Sequence, residues 1–392
     1  SSFVRIYRYV DESGTWVQLG VDLKGRMESV SLSDDGHVIA IGDSRNDANG
    51  DDSGLVRIYS YVNVSNTWEQ LGADIKGEAE EDYSGRAISL SADGHIVAIG
   101  AQGNDGNGKF SGHVRIYNYD NVRASWFQLG SDIDGKVRGD LSGHSVSLSD
   151  DGFTVAIGAP ENDAIGTNSG HVRIYNYDDV IGTWFQLGPD IDGKRGGEDS
   201  GQSVILSSDG RTVGILSDYN IRIFRYDDNS WVQIGDDIIP SGRFRSLDIS
   251  ADGFTLATTD VPFGTTSGVV KIYIYNGHTW VQLDYTIVHE ANDDGEKYYD
   301  FGRSLSLSAD GFNVAVGVTA RNGINKPLSK AGYARVYSIG NELPLAQDLI
   351  VKTKENTAVE FILGANNLYK DKLIYTIDTI STRCVPKIHT TR

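Results

Sequence analysis

Three runs close together, SVSLSDDGFTVAIGAP (residues 145–160), HVRIYNY (171–177) and TWFQLG (183–188), decide the fold. They divide into four pieces, each with the length and the β-branched and aromatic content of a strand. Asp151-Gly152 separates the first two pieces, and Gly accepts the positive φ of a tight hairpin turn, so these two strands form an antiparallel pair. In HVRIYNY the apolar positions alternate with Arg and Asn, the period of two expected of a strand with two different faces.

The unit recurs as SVSLSDDG (29–36), AISLSADG (87–94), SVILSSDG (203–210), SLDISADG (246–253) and SLSLSADG (304–311). Leu32, Leu90, Leu148 and Leu206 are spaced 58 residues apart, Ile249 follows after 43, and Leu307 after 58 again. All six tryptophans, Trp16, Trp68, Trp126, Trp184, Trp231 and Trp280, occupy one place in the unit. Four short strands per repeat of this length describe a propeller blade, since stacking blades buries the sheet faces that a single blade leaves wet. We label the strands A (SLS), B (VAIG), C (VRIY) and D (WxQLG).

The fold class expected is therefore all-β, a β-propeller of four-stranded antiparallel blades. The chain opens on a C–D pair at residues 3–20 that has no A–B partner, which favours seven blades over six. The repeated Leu and Ile of strand A are expected to be core, and the repeated Trp and Tyr to pack between blades. His37, His95, His113, His144 and His171 sit at repeat positions and read as framework residues.

Composition narrows the function. Acidic residues outnumber basic ones 54 to 35, a formal charge of −19, which opposes nucleic acid and anionic lipid. No apolar run is long enough to cross a bilayer, so no membrane insertion is expected. The lone Cys384 permits no intrachain disulfide, and the first residue, Ser1, suggests a processed or truncated start. Catalytic signatures such as GxSxG, HExxH or a P-loop are missing from the sequence, and no carboxylate pair stands apart from the repeat, so the chain reads as a non-enzyme.

The repeated SLSxDGxxVAIGA and SGHVRIY pattern over residues 3–340 resembles the FG-GAP repeat, the blade of integrin alpha-type propellers, in the variant of microbial and algal surface proteins. Phe301-Gly302 stands at the FG position and Gly158-Ala159-Pro160 at GAP. That resemblance implies an extracellular or cell-surface protein. The integrin branch holds calcium in a carboxylate-rich loop between strands A and B, but here that place has only Ser-Asp-Asp-Gly or Ser-Ala-Asp-Gly, too poor in oxygen ligands. The loops between strands B and C are richer, and Asp47, Asn49, Asp51, Asp105, Asn107 and Asp163 are candidate calcium ligands, with a plain Asx turn as the competing reading. No other cofactor is implied.

Residues 341–392 leave the repeat. Ile350, Val359, Phe361, Leu363, Leu373 and Tyr375 alternate as in strands, and the segment resembles the start of a cadherin-like or Ig-like β-sandwich. Two domains are thus expected, a propeller over 1–340 and a partial sandwich over 341–392. Asn63-Val64-Ser65 is a sequon for glycosylation at Asn63. The function expected is an extracellular structural or adhesive module, a subunit of a surface filament or coat, whose partners are further copies, other surface proteins or glycans. The alternative is a glycan-binding or glycan-cleaving propeller.

Overall fold

The computed structural model describes residues 3–10, 12–265, 267–289, 299–320, 333–339, 346–347, 359–364 and 372–377. Among them there is no helix, and six antiparallel sheets built on four successive strands follow one another along the chain, three of them with an added two-residue strand, Ile75–Lys76, Ile133–Asp134 and Ile191–Asp192, paired to strand C. Blade one comprises Ser29–Leu32, Val38–Asp43, Leu55–Val62 and Thr67–Gln70, and blade two runs from Ala87–Leu90 to Ser125–Gln128. Blade three runs from Ser145–Leu148 to Thr183–Gln186, blade four from Ser203–Leu206 to Ser230–Gln233, and blade five from Gly242–Ile249 to Trp280–Val288. Blade six joins Tyr299–Leu307, Asn313–Ala320, Tyr333–Ser338 and Ala346–Gln347.

From blade one through blade six, strand A contacts strand A of the next blade, and strand A of blade one is met on its other side by Lys372–Ile377, which places these strands innermost, around the axis. Their serines follow from that crowding, because a hydroxyl is small and also satisfies the next blade's backbone. The hydroxyls of Ser31, Ser89 and Ser147 accept the amides of Leu90, Leu148 and Leu206 at 2.9–3.0 Å. In blade five Asp248 takes the serine's place and accepts from Leu307 at 2.7 Å. At one end of the axis the A–B turns are chained by backbone bonds, Asp34 to Ala92, Ala92 to Asp150, Asp150 to Ser208, Ser208 to Ala251 and Ala251 to Ala309. Such pairing leaves few buried main-chain groups unsatisfied where the blades are closest.

A second clasp holds the blades at the outside. Five of the six indoles donate Nε1–H to the carbonyl closing strand D of the preceding unit: Trp68 to Leu19, Trp126 to Leu71, Trp184 to Leu129, Trp231 to Leu187 and Trp280 to Ile234, all at 2.7–3.0 Å. The inter-blade reading of the tryptophans holds. Leu32, Leu90, Leu148, Leu206, Ile249 and Leu307 are all buried, Leu32 in a cluster shared with the first two strands of the chain and the others in clusters that span neighbouring blades.

The expectation of seven full blades is corrected to six. Phe3–Val10 and Thr15–Lys24 make a separate two-stranded sheet rather than half of a four-stranded one. Val4, Ile6, Leu19 and Leu23 pack into blade one's core, while Tyr7 and Trp16 lie against the cluster of blades five and six. The pair thus fills the sector between the last blade and the first. Blade six draws its fourth strand from Ala346–Gln347, not from Thr15–Lys24. Most of 341–392 lies outside the described residues; within it Val359–Gly364 and Lys372–Ile377 form an antiparallel hairpin, with Val359–Gly364 beside Phe3–Val10.

Candidate functional site

The antiparallel order of each blade puts the starts of strands A and C, the ends of strand B and the D-to-A connections at one end of the axis, opposite the chained A–B turns. At that end a cavity of about 300 Å³ opens on the axis, lined by residues of strand A and its entry from all six blades. Its walls alternate short hydroxyl and apolar side chains, among them Ser29, Ser145, Ser203, Val146, Val204 and Phe244. Its rim is basic. Arg86, Arg243, Arg245 and Arg303 line it against one lining carboxylate, Asp218, in a chain whose net charge is −19.

Four of the polar lining residues occupy one register, the position just before the first A-strand serine or its Ala87 equivalent: Arg86, His144, Gln202 and Arg303. Arg245 holds the same register in blade five, where a bulge after Phe244 interrupts the ladder. Side chains at this register point toward the axis from successive blades, so one position in a repeat becomes a ring in space. Gln202 donates to Asp218 at 2.7 Å. Behind the ring the buried Asp300 pairs with Arg245 and, at 3.5 Å, with Arg303. Burial pulls the Arg245 guanidinium below its ordinary value, Asp300 opposes this, and the neighbouring charges of Arg243 and Arg303 add to the lowering. Arg243 itself is exposed at the mouth.

None of the sequence-derived metal ligands lines this cavity. Asp47, Asp105 and Asp163 each accept a backbone amide of their own loop, from Asp52, Phe110 and Asn168, at 2.8–2.9 Å. Asn49 donates its side-chain amide to the carbonyls of Gly77 and Glu78, and Asn107 to that of Gly135. Asp51 gives its carbonyl to the Glu81 amide. These residues therefore brace the B–C loops against the D-to-A connections. The A–B aspartates are engaged likewise: Asp35 accepts from the Ser33 hydroxyl and the His37 amide, and although burial opposes ionisation, the His37 ring 3.2 Å away and these two donors hold its carboxyl down at about 2. Asn63 is exposed in the turn between strands C and D of blade one.

The framework reading of the histidines splits. His37 and His95 stand against Tyr61 and Tyr119, and His113 and His171 are buried at the start of strand C, whereas His144 lines the cavity. Sequence reasoning missed Arg86, His144, Gln202, Arg245 and Arg303 as a set. The signal was present as the position that changes from blade to blade beside a serine that hardly does.

No protein-family model and no curated protein matches the chain, so the FG-GAP resemblance is not carried as a family assignment. Solved structures do match along nearly the whole length. The periplasmic gluconolactonase PpgL of Pseudomonas aeruginosa is 16% identical with a TM-score of 0.56, over 88% of this chain and 91% of that one. A protein of Bacteroides fragilis described as a candidate 6-phosphogluconolactonase is 12% identical with a TM-score of 0.57, over 98% and 93%. The β-propeller domain of Cps50 (Swd1) from Myceliophteria thermophila is 11% identical with a TM-score of 0.56, over 94% and 98%. The non-enzyme expectation is corrected on this ground: lactonase-named proteins share the architecture, and a missing sequence motif does not argue against chemistry on a fold whose sites are assembled from separate blades. By fold, the chain is a six-bladed β-propeller.

Proposed function

We propose that this chain is a saccharide-directed propeller of the binding or hydrolase type, which takes a small anionic sugar into its axial cavity. The observation that carries the reading is the concentration of Arg86, Arg243, Arg245 and Arg303 around one cavity of about 300 Å³ in a strongly acidic protein. That volume lies at the lower end of ligand pockets and suits a single sugar ring. Guanidinium groups recognise carboxylate or phosphate through paired donors, and the serine hydroxyls beneath them match sugar hydroxyls.

The same groups fit opening of a sugar lactone or ester. Water attack at the carbonyl builds negative charge on oxygen, which fixed arginine donors stabilise, and the attacking water needs a base, for which His144 is the lining imidazole. The names of the lactonase neighbours favour this class over adhesion.

The test is calorimetric titration with gluconate, 6-phosphogluconate and galacturonate, with glucose as the neutral control, alongside hydrolysis of the corresponding lactones. Binding of the anionic sugars alone, weakened at least tenfold in Arg243→Gln, is the expected result. Failure of every anionic sugar to bind, or equal binding by the variant, overturns the reading.

Extracellular placement, glycosylation at the exposed Asn63, and contacts with further copies or surface proteins belong to the same proposal. The periplasmic neighbour is consistent with a site outside the cytoplasm, and among the described residues no helix is long and apolar enough to cross a membrane.

A further inference from the structure

Away from the axis, blade three buries a histidine that nothing in its surroundings satisfies. His171 opens strand C with a fully buried side chain, and neither ring nitrogen has a hydrogen-bond partner. Opposite it in the ladder stands Asp192, on the two-residue strand Ile191–Asp192, and its Oδ1 is likewise buried without a partner. Asp190 Oδ2 is 3.5 Å from His171 Nδ1. The ligand atoms of His171, Asp190 and Asp192 all lie within 4.8 Å of one another. Orphaned polar atoms this deep cost stability unless something pairs them.

The separation itself is informative. At 3.5 Å the imidazole and carboxylate are too far apart for a good hydrogen bond, whereas a nitrogen and an oxygen bound to one tetrahedral zinc stand about 3.3 Å apart. Blade two supplies an internal comparison. There His113 and Asp132 match His171 and Asp190, Asp134 stands opposite His113 as Asp192 does opposite His171, and Glu78 occupies the place of Lys136; that group already holds a cation, since Arg115 pairs with Glu78 and, at 2.8 Å, with Asp132. The matching arginine of blade three turns away. Arg173 donates to the Asp134 carbonyl at 2.7 Å, to Ser142 Oγ at 3.1 Å and to the Tyr175 hydroxyl at 2.7 Å. Lys136, about half exposed, is the cation that reaches Asp190 Oδ2, at 2.5 Å, while the Gln186 amide donates to Oδ1 at 2.8 Å.

The geometry points to His171, Asp190 and Asp192 as a binding site for a divalent transition cation of the zinc class, with a fourth position left for water. One neutral imidazole and two carboxylates balance the ion's charge, and this mixed nitrogen–oxygen set suits zinc better than calcium. Burial, reinforced by the Arg173 charge, pushes His171 down to about 4, so its lone pair is available at neutral pH. Lys136 is the competitor that the ion displaces toward solvent.

The test is zinc titration of the full chain against a chelating dye, with cobalt(II) absorption as the signature of a tetrahedral site. Wild type is expected to take one equivalent. His171→Ala and Asp192→Asn should each weaken binding at least tenfold and abolish the cobalt band, Lys136→Ala should tighten binding, and His113→Ala should change nothing. Asp192→Asn keeps the side chain's shape and decides the matter even if His171→Ala fails to fold. Absence of stoichiometric binding by wild type, or undiminished binding by Asp192→Asn, or loss of binding in His113→Ala, overturns the assignment.

Discussion

The indole Nε1 of Trp126 donates to the carbonyl of Leu71, 2.7 Å away in the preceding blade, and Gly72, the residue after that carbonyl, lies directly under the ring. Gly72 has φ +75°, and a β-carbon there would stand 2.8 Å from Trp126 Cδ1. The glycine ending each WxQLG run thus answers two demands together, a left-handed backbone and room for the next blade's tryptophan. Gly72→Ala is expected to destabilise by about 2–4 kcal/mol, combining backbone strain with a displaced ring. Gly277→Ala, where φ is +93° and no neighbour would meet the added carbon, should cost only about 1 kcal/mol from the backbone. Equal losses in urea unfolding of the two variants would remove the clasp from the explanation.

Leu148 is 2% exposed in the cluster shared by blades two and three. Leu148→Ala is expected to lower stability by about 2–5 kcal/mol, the range for cavities in packed cores. An unchanged unfolding midpoint would contradict its place in that core.

Acid sensitivity should begin with the buried histidines. Burial holds His171 at about 4 and His113 below its ordinary value, with the charges of Arg173 and Arg115 adding to the effect. Since the folded value lies below the unfolded one, the unfolded chain binds the proton more readily. The contribution is therefore complete above the unfolded value of about 6.5 and is lost as pH falls toward 4, amounting to roughly 3 kcal/mol for His171. Urea unfolding at pH 7.5 and 4.5 in the presence of a chelator checks this: His171→Gln should lose less stability across the interval than wild type. The same loss in both would exclude His171 as the source.

The B–C loops offer a separate check. Because Asp105 Oδ1 accepts the Phe110 amide at 2.8 Å, Asp105→Ala is expected to lower stability by about 0.5–1.5 kcal/mol with or without calcium. A loss seen only when calcium is present would establish the loop as an ion site instead.

Much of the architecture was legible because the repeat writes each strand's environment into its residue types. The serines of SLS, the Asp-Gly turn, VRIY with its alternation and the Trp of strand D each state a local requirement, and six copies state it six times. Blade number was less legible. Residues 3–20 carry a complete C–D signature, yet among the described residues their ladder is with each other, with Val359–Gly364 packed alongside, and the final blade takes its fourth strand from Ala346–Gln347, which has no WxQLG pattern to announce it.

The sequence by itself determined the all-β class, the strand order within a blade, the buried leucines and the packing role of the tryptophans, since each follows from neighbours close along the chain or from an exact repeat. Only the tertiary structure decided the sites. Arg86, His144, Gln202, Arg245 and Arg303 are separated by a blade's length in sequence and become neighbours because closing the ring turns one register toward a common axis. His113 and His171 open the same HVRIYNYD strand, and they differ because one blade's arginine faces its carboxylates while the other's faces the blade before it. That choice depends on side-chain direction and on distances across blades, which a linear pattern does not encode.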